Sequence, residues 1–138
     1  MHEDDYTLER ITTAGVLFEA GHYFVAKRKT GGAVGGLWEF PGGKHRWGET
    51  PEESLEREFF EEFELAVRIG SCFLEHDFVH KHTLFHLHAF WVEAVEPIHY
   101  VLHEHDEVRW VTLAEMLELP FVPSDIPVRS KLEELALA

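Results

Sequence analysis

The chain has 138 residues, 45% of them apolar, with 26 acidic against 12 basic side chains and a formal net charge of −14. That is enough chain for one sizeable core, so a single domain is expected over residues 1–138, while the acidic excess argues against a protein that grips polymeric nucleic acid by neutralising its phosphates. Cys72 is the only cysteine and no stretch approaches the roughly 20 apolar residues of a membrane span, so the expectation is a cytoplasmic protein, monomer or homodimer, without a disulfide.

The acidic start Met1-His2-Glu3-Asp4-Asp5 lacks the basic and apolar regions of a signal peptide. Ile11–Phe18 reads as a strand, Glu19–His22 as a turn and Tyr23–Arg28 as the returning strand. Residues 29–37 form a Gly-rich connector, placed where it could also close over a ligand. Leu37–Phe40 is a short strand that delivers the turn Pro41-Gly42-Gly43-Lys44. After the helix described below, Val67–Gly70 begins an extended region, and Cys72–Val79 and Thr83–Ala94 read as two long strands. The second is apolar on both faces and so suits cover on both sides. Val108–Val111 is a further strand, Thr112 caps a short helix over 113–118, and Ser124 or Asp125 caps a final helix carrying Val128, Leu132 and Leu135. This order predicts a mixed sheet with helices on both faces.

The chemistry concentrates between Gly43 and Leu65, which holds eight glutamates in twenty-three residues. Thr50 as N-cap, Pro51 at the first position and Glu53 as the closing side of a capping box start a helix that runs to about residue 63. Leu55, Phe59 and Phe63 recur on one stripe, and Glu58, Glu61 and Glu62 fall on the next. Three carboxylates so close repel one another unless a cation lies among them, and an all-oxygen set suits Mg²⁺ or Mn²⁺. A solvated acidic helix face is the alternative reading of the glutamates alone. Eleven histidines, five of them on the long strands, offer no tight ligand set with a cysteine. They read as partly exposed residues that make surface charge pH-sensitive.

Gly43, five residues, Glu49, seven residues and Arg57-Glu58-Phe59-Phe60-Glu61-Glu62-Phe63-Glu64-Leu65 resemble the Nudix box at every fixed position but one: Glu64 stands where the family has its second glycine. A glutamate there leaves the helix end in question and lies outside the metal face. Trp38–Lys44 and Phe121–Val128 are similar to the segments that precede the box and touch the base in the MutT branch. The resemblance implies a Nudix-type α/β/α sandwich and Mg²⁺- or Mn²⁺-dependent hydrolysis of a nucleoside triphosphate to monophosphate and pyrophosphate, including removal of damaged nucleotides such as 8-oxo-dGTP or cytidine-type ones. Alternatives are hydrolysis of another nucleoside diphosphate derivative and a non-catalytic nucleotide sensor. The absence of Pro and Tyr between Ala66 and Glu96 lowers the ADP-ribose and dinucleoside-polyphosphate readings.

The same resemblance implies the roles of single residues. Glu58, Glu61 and Glu62 would hold metal, with the Gly43 carbonyl as a further oxygen, and Glu58 or Glu61 is a candidate general base. In the run 103–107, alignment on Trp110 favours Glu104 over Glu107 as a distal base or extra ligand. Arg57 would orient the carboxylates, and Glu49 would brace the loop. Arg28 and Lys44 match phosphate contacts, Phe40 and Lys81 are pocket candidates, and Asp125 would read the base edge. An ionised Asp only accepts hydrogen bonds, so it prefers a base edge rich in N–H. The O6 and N7–H pair of 8-oxoguanine fits only if Asp125 is protonated or bonded elsewhere.

Overall fold

A computed structural model describes residues 6–137; the Met1–Asp5 segment read above lies outside them. The elements are β1 (Leu8–Glu19), β2 (His22–Arg28), β3 (Trp38–Glu39), β4 (Gly42–Lys44), α1 (Pro51–Phe63), β5 (Val67–His80), β6 (Thr83–Ala94), β7 (His105–Val111), α2 (Leu113–Leu117), a 3₁₀ turn (Pro123–Asp125) and α3 (Ile126–Ala136). The strands form one mixed sheet in the order β3-β2-β1-β6-β5, with β4 added to β1 and β7 to β2. Strands β1 and β6 run parallel from Leu8 opposite Thr83 to Leu17 opposite Val92, and the remaining pairings are antiparallel.

Period-two alternation sends the apolar residues of β1 and β6 to opposite sides, and each side is covered as expected. Leu17, Phe90 and Val92 face α1, whose Leu55, Phe59 and Phe63 are fully buried against them. Ala14, Val16, Leu87 and Ala89 face the other way, towards Met116 of α2 and Val128 and Leu132 of α3. Helix α1 lies close because Gly15 has no side chain: a Cβ there would come within 2.5 Å of the Phe59 ring. The family architecture of helices on both faces of a mixed sheet is therefore present.

Helix α1 begins as its sequence predicts, with both halves of the Thr50–Glu53 capping box formed and Pro51 in the first turn. Thr112 and Glu115 repeat the box at α2. The end of α1 resolves the question that Glu64 raised. Glu64 takes the left-handed conformation itself, at φ 56, and its N–H bonds back to the Phe60 carbonyl, so the helix stops where a glycine would stop it. That conformation costs a non-glycine residue about 1 kcal/mol.

Three expectations need correction. Gly42–Lys44 is a short strand rather than a turn, because Thr12–Ala14 of β1 offers it a free edge. Residues 67–80 form one continuous strand that joins the extended region at Val67–Gly70 to the strand expected at Cys72–Val79, with register shifts on either side of Cys72. Asp125 makes no side-chain cap to α3, and neither does Val122 to the 3₁₀ turn before it; Asp125 bonds instead to the Phe40 N–H, 85 residues away in sequence. The strand histidines sit among carboxylates: His86 contacts Asp77 at 2.8 Å and Glu9 at 3.3 Å, and His88 contacts Glu75 at 3.3 Å.

Candidate active site

The site is built where α1 passes over β4. Gly43 pairs with Thr13, and its carbonyl accepts from the hydroxyls of Thr12 and Thr13, each at 3.2 Å. A Cβ on Gly43 would lie 2.8 Å from the Glu58 carboxyl carbon, so any larger residue would displace that carboxylate. This close approach explains why a glycine is needed here.

Arg57 organises the glutamates. Its Nε and Nη2 donate to Glu49 at 2.6 and 3.1 Å, and its Nη1 donates to Glu58 at 2.8 Å and to Glu61 at 3.1 Å. Arg46 adds a second contact to Glu61 at 3.4 Å, and the Arg46 N–H donates to Glu49. His45 bonds the Glu49 carbonyl, so the loop 45–49 is tied down at both ends. The hydrogen bond from Arg57 is the main reason that the Glu49 carboxyl is held down to about 2, and the guanidinium is in turn pushed above its usual value, chiefly by Glu49. Glu53, four residues before Arg57, is engaged in closing the helix cap.

Glu62 is the exception among the box carboxylates. It is only 2% exposed, and among the described residues its Oε2 has no hydrogen-bond partner. Burial raises its pKa far above the carboxylate range, and contact with Glu58 raises it further. A buried carboxyl with an unpartnered oxygen, pressed against a second carboxyl, fits a bound cation. With Gly43 O, Glu58 and Glu61 the donor set is all oxygen, as hard divalent ions prefer.

Across the sheet edge, β3, β2 and β7 bring in a second group. Arg28 donates to Glu39 at 3.2 Å, and His105 Nε2 lies 2.7 Å from the same carboxyl and 3.9 Å from Glu62. Among the described residues, Glu39, Glu62 and His105 are the group whose ligand atoms all come within 4.8 Å of one another. His105 stacks on Phe63, ring centroids 5.1 Å apart. A cavity of about 270 Å³ opens here, lined by Arg28, Lys29, Thr30, Gly31, Glu39, Glu104 and His105. Glu104 therefore faces the site, whereas Glu107 is held by Arg109 at 2.6 Å.

The structure thus gathers Gly43, Arg57, Glu58, Glu61 and Glu62 with Arg28 and Glu104. It directs the others elsewhere. Lys44 turns its ammonium over Phe85, 5.9 Å from the ring centroid, on the face away from α1. Phe40 is buried against Phe121, and its N–H donates to Asp125 Oδ2 at 2.9 Å. Burial is the main cause that pushes the Asp125 carboxyl up to about 7. Lys81 lies at the tip of the β5–β6 hairpin, beside Thr83. Thr83 pairs with Leu8, five residues along β1 from the Gly43 partner Thr13, or about 17 Å at the usual rise per residue. Glu39 and His105 were not picked out by sequence. The available signal for Glu39 was a lone acid between Trp38 and Phe40 in a strand.

One buried and two less buried glutamates on a helix, a glycine that admits a carboxylate and one arginine holding three glutamates make up the site. Residues 13–129 match the NUDIX domain family. The chain belongs to the Nudix family. It is similar to the CTP pyrophosphohydrolase of Escherichia coli strain K12, at 32% identity over 117 residues covering 83% of this chain and 84% of that protein. It is also similar to the 8-oxo-dGTP diphosphatase of the same organism, at 34% identity over 85% of this chain and 90% of that one. Among solved structures, the solution structure of the E. coli ORF135 protein superposes with a TM-score of 0.82 at 27% identity, covering 94% of this chain and 92% of that chain. Nudix hydrolases use divalent metal ions, and Glu39, Glu62 and His105 form a candidate metal site here. No helix among the described residues is long and apolar enough to cross a membrane.

Proposed function

We propose that this Nudix protein hydrolyses a nucleoside triphosphate to the monophosphate and pyrophosphate, with Mg²⁺, or Mn²⁺ in its place, held by Gly43 O, Glu58, Glu61, Glu62 and Glu104. The observation that carries the reading is the buried Glu62 oxygen, without a hydrogen-bond partner among the described residues and in contact with Glu58, which itself lies against Gly43. When bound, the ion neutralises phosphate charge and lowers the pKa of coordinated water. The protein does the rest. Arg57 holds Glu58 and Glu61 in fixed positions, so that their orientation does not have to be found in each turnover. Glu58, Glu61 and Glu104 are the carboxylates available to take a proton from water. Arg28, braced by Glu39 at the cavity rim, meets the phosphates. Lys44 and Phe40 lie on the side of Asp125, where the nucleoside is placed.

Asp125 decides which base edges fit. One carboxyl oxygen is already taken by the Phe40 N–H, and burial pushes the group up to about 7, so it can hold a proton near neutral pH. Such a carboxyl can donate to a base carbonyl as well as accept from an amino group. This admits both 8-oxoguanine and cytosine, the bases named for the relatives. The deciding experiment is a panel of natural and oxidised (d)NTPs with Mg²⁺, ranked by kcat/KM. Release of pyrophosphate with a clear preference among triphosphates is expected; tight binding of one nucleotide with no turnover of any would overturn the reading in favour of a sensor.

A further inference from the structure

One loop residue ties together three parts of the molecule. The His103 N–H donates to the Glu62 carbonyl at 3.4 Å, its carbonyl accepts from Lys29 Nζ at 3.1 Å, and its imidazole Nε2 meets Glu64 Oε2 at 2.5 Å. Two residues earlier the Val101 N–H donates to the Phe63 carbonyl at 3.0 Å. The loop thus runs along the last turn of α1 and satisfies two of the carbonyls that every helix end leaves unpaired. Lys29 fastens it from the Gly-rich segment on the far side. The next residue is Glu104, delivered into the cavity with Arg28, Glu39 and His105.

Glu64 is the unusual partner in this set. Among the described residues, the other non-glycine residues with positive φ, Ala20, Lys81 and His82, lie in the β1–β2 and β5–β6 hairpin turns. Glu64 alone ends a helix, at the position where the box has glycine. A strained residue kept beside a site is a pointer to what its side chain does there. Here the side chain reaches the loop that glycine could not reach.

We infer that Glu64 and His103 are positioning residues for Glu104, their contact holding the Glu104 loop against the end of the box helix. The inference rests on the reading of Glu104 as a site carboxylate, which its own variant tests separately. Glu64→Gly, Glu64→Gln and Glu104→Gln would be compared with the parent on CTP and 8-oxo-dGTP with Mg²⁺, together with amide hydrogen exchange over 101–106 and melting temperature. Glu64→Gly relieves the backbone, so it should melt at or above the parent. Its exchange at residues 103–105 should nonetheless be faster, and its kcat should fall about tenfold with KM little changed, the loss typical of outer-shell partners. Glu64→Gln keeps an oxygen that can accept from His103 and should stay within about threefold of the parent.

Parental kcat and exchange in Glu64→Gly, alongside a crippled Glu104→Gln, would overturn the latch and leave the site reading standing. Equal loss in Glu64→Gly and Glu64→Gln would also overturn it. Parental kcat in Glu104→Gln would instead remove the site reading of Glu104, and the latch with it.

Discussion

Two carboxyl groups on opposite faces of the sheet, Glu49 and Asp125, are shifted in opposite directions. Beside α1, Glu49 accepts from the Arg57 guanidinium and from the Arg46 backbone N–H, and its carboxyl is held down to about 2. On the other face Asp125 has a backbone N–H as its hydrogen-bond donor, and burial lifts it to about 7. Glu62 shares the α1 face with Glu49 but is buried like Asp125, and it too is driven upward. Sequence position does not separate these groups; the balance between desolvation and a nearby cation does. A carboxyl paired with arginine is a brace, fixed in charge. A carboxyl buried away from arginine is the one whose charge can change, and Glu62 and Asp125 are both of this kind.

The sharpest way to break this contrast is to remove the buried carboxyl of the α1 face. Glu62→Gln should cost about a thousandfold in kcat, roughly 4 kcal/mol of barrier, with an unchanged circular dichroism spectrum and a melting temperature at or above the parent. The stability follows because glutamine carries no charge to desolvate where Glu62 is buried. Turnover near the parental rate would dismiss Glu62 as a ligand. Arg57→Lys comes next. A lysine cannot reproduce a fork that serves Glu49, Glu58 and Glu61 together, so kcat should fall about 10- to 100-fold. Weaker Mn²⁺ binding, followed by the electron paramagnetic resonance signal of the free ion, checks that the loss lies in carboxylate orientation.

Asp125 offers the test on the opposite face. Its folded pKa is raised, so its contribution to stability is fully present below the unfolded value near 4 and is lost as pH rises through about 7. Relative to Asp125→Asn, the parent should lose stability between those limits with a slope on the order of 1 kcal/mol per pH unit and change little above them. Denaturant titrations of both proteins from pH 4 to 8 would show it, and parallel curves would refute it. The nucleotide ranking should also change in Asp125→Asn, since the amide is donor and acceptor at every pH. An unchanged ranking would remove Asp125 from base recognition.

What sequence made legible were the features written locally. The Thr50 capping box, the Thr112 cap, the apolar stripe of α1 and the two-faced apolar pattern of β6 each depend on residues a few positions apart, and each formed as read. What it hid depends on distant partners. Asp125 stands in the ordinary place for an N-cap, yet the Phe40 N–H competes for it and wins. His105 reaches Glu39 across 66 residues, at a point where β2 shifts register between Lys27 and Arg28, which no local pattern announces. Gly42–Lys44 has the composition of a turn and becomes a strand because β1 leaves an edge open beside it. For the site, the box glutamates were visible by spacing and Arg28 and Glu104 by resemblance, while Glu39 and His105 of the cavity wall came only from the strand order.

The smallest expected effect belongs to the histidines at the far end of the α1 face. His86 on β6 is flanked by Asp77 on β5 and Glu9 on β1, with the Glu75–His88 pair one step along the sheet. The Asp77 hydrogen bond is the largest cause that raises its pKa, followed among the raising causes by the one from Glu9. A raised histidine adds stability that is fully present below its unfolded value near 6.5 and is lost as pH rises through the folded value. Because these side chains are largely in contact with water, the contribution should stay under about 1 kcal/mol and shrink with added salt. Asp77→Asn should lower the His86 midpoint followed by ring-proton NMR and leave kcat within about twofold, as expected for a surface substitution outside the site. If the midpoint does not move, the carboxylate and the imidazole are neighbours in the sheet without being an ion pair in solution, and pH sensitivity on this face must come from elsewhere.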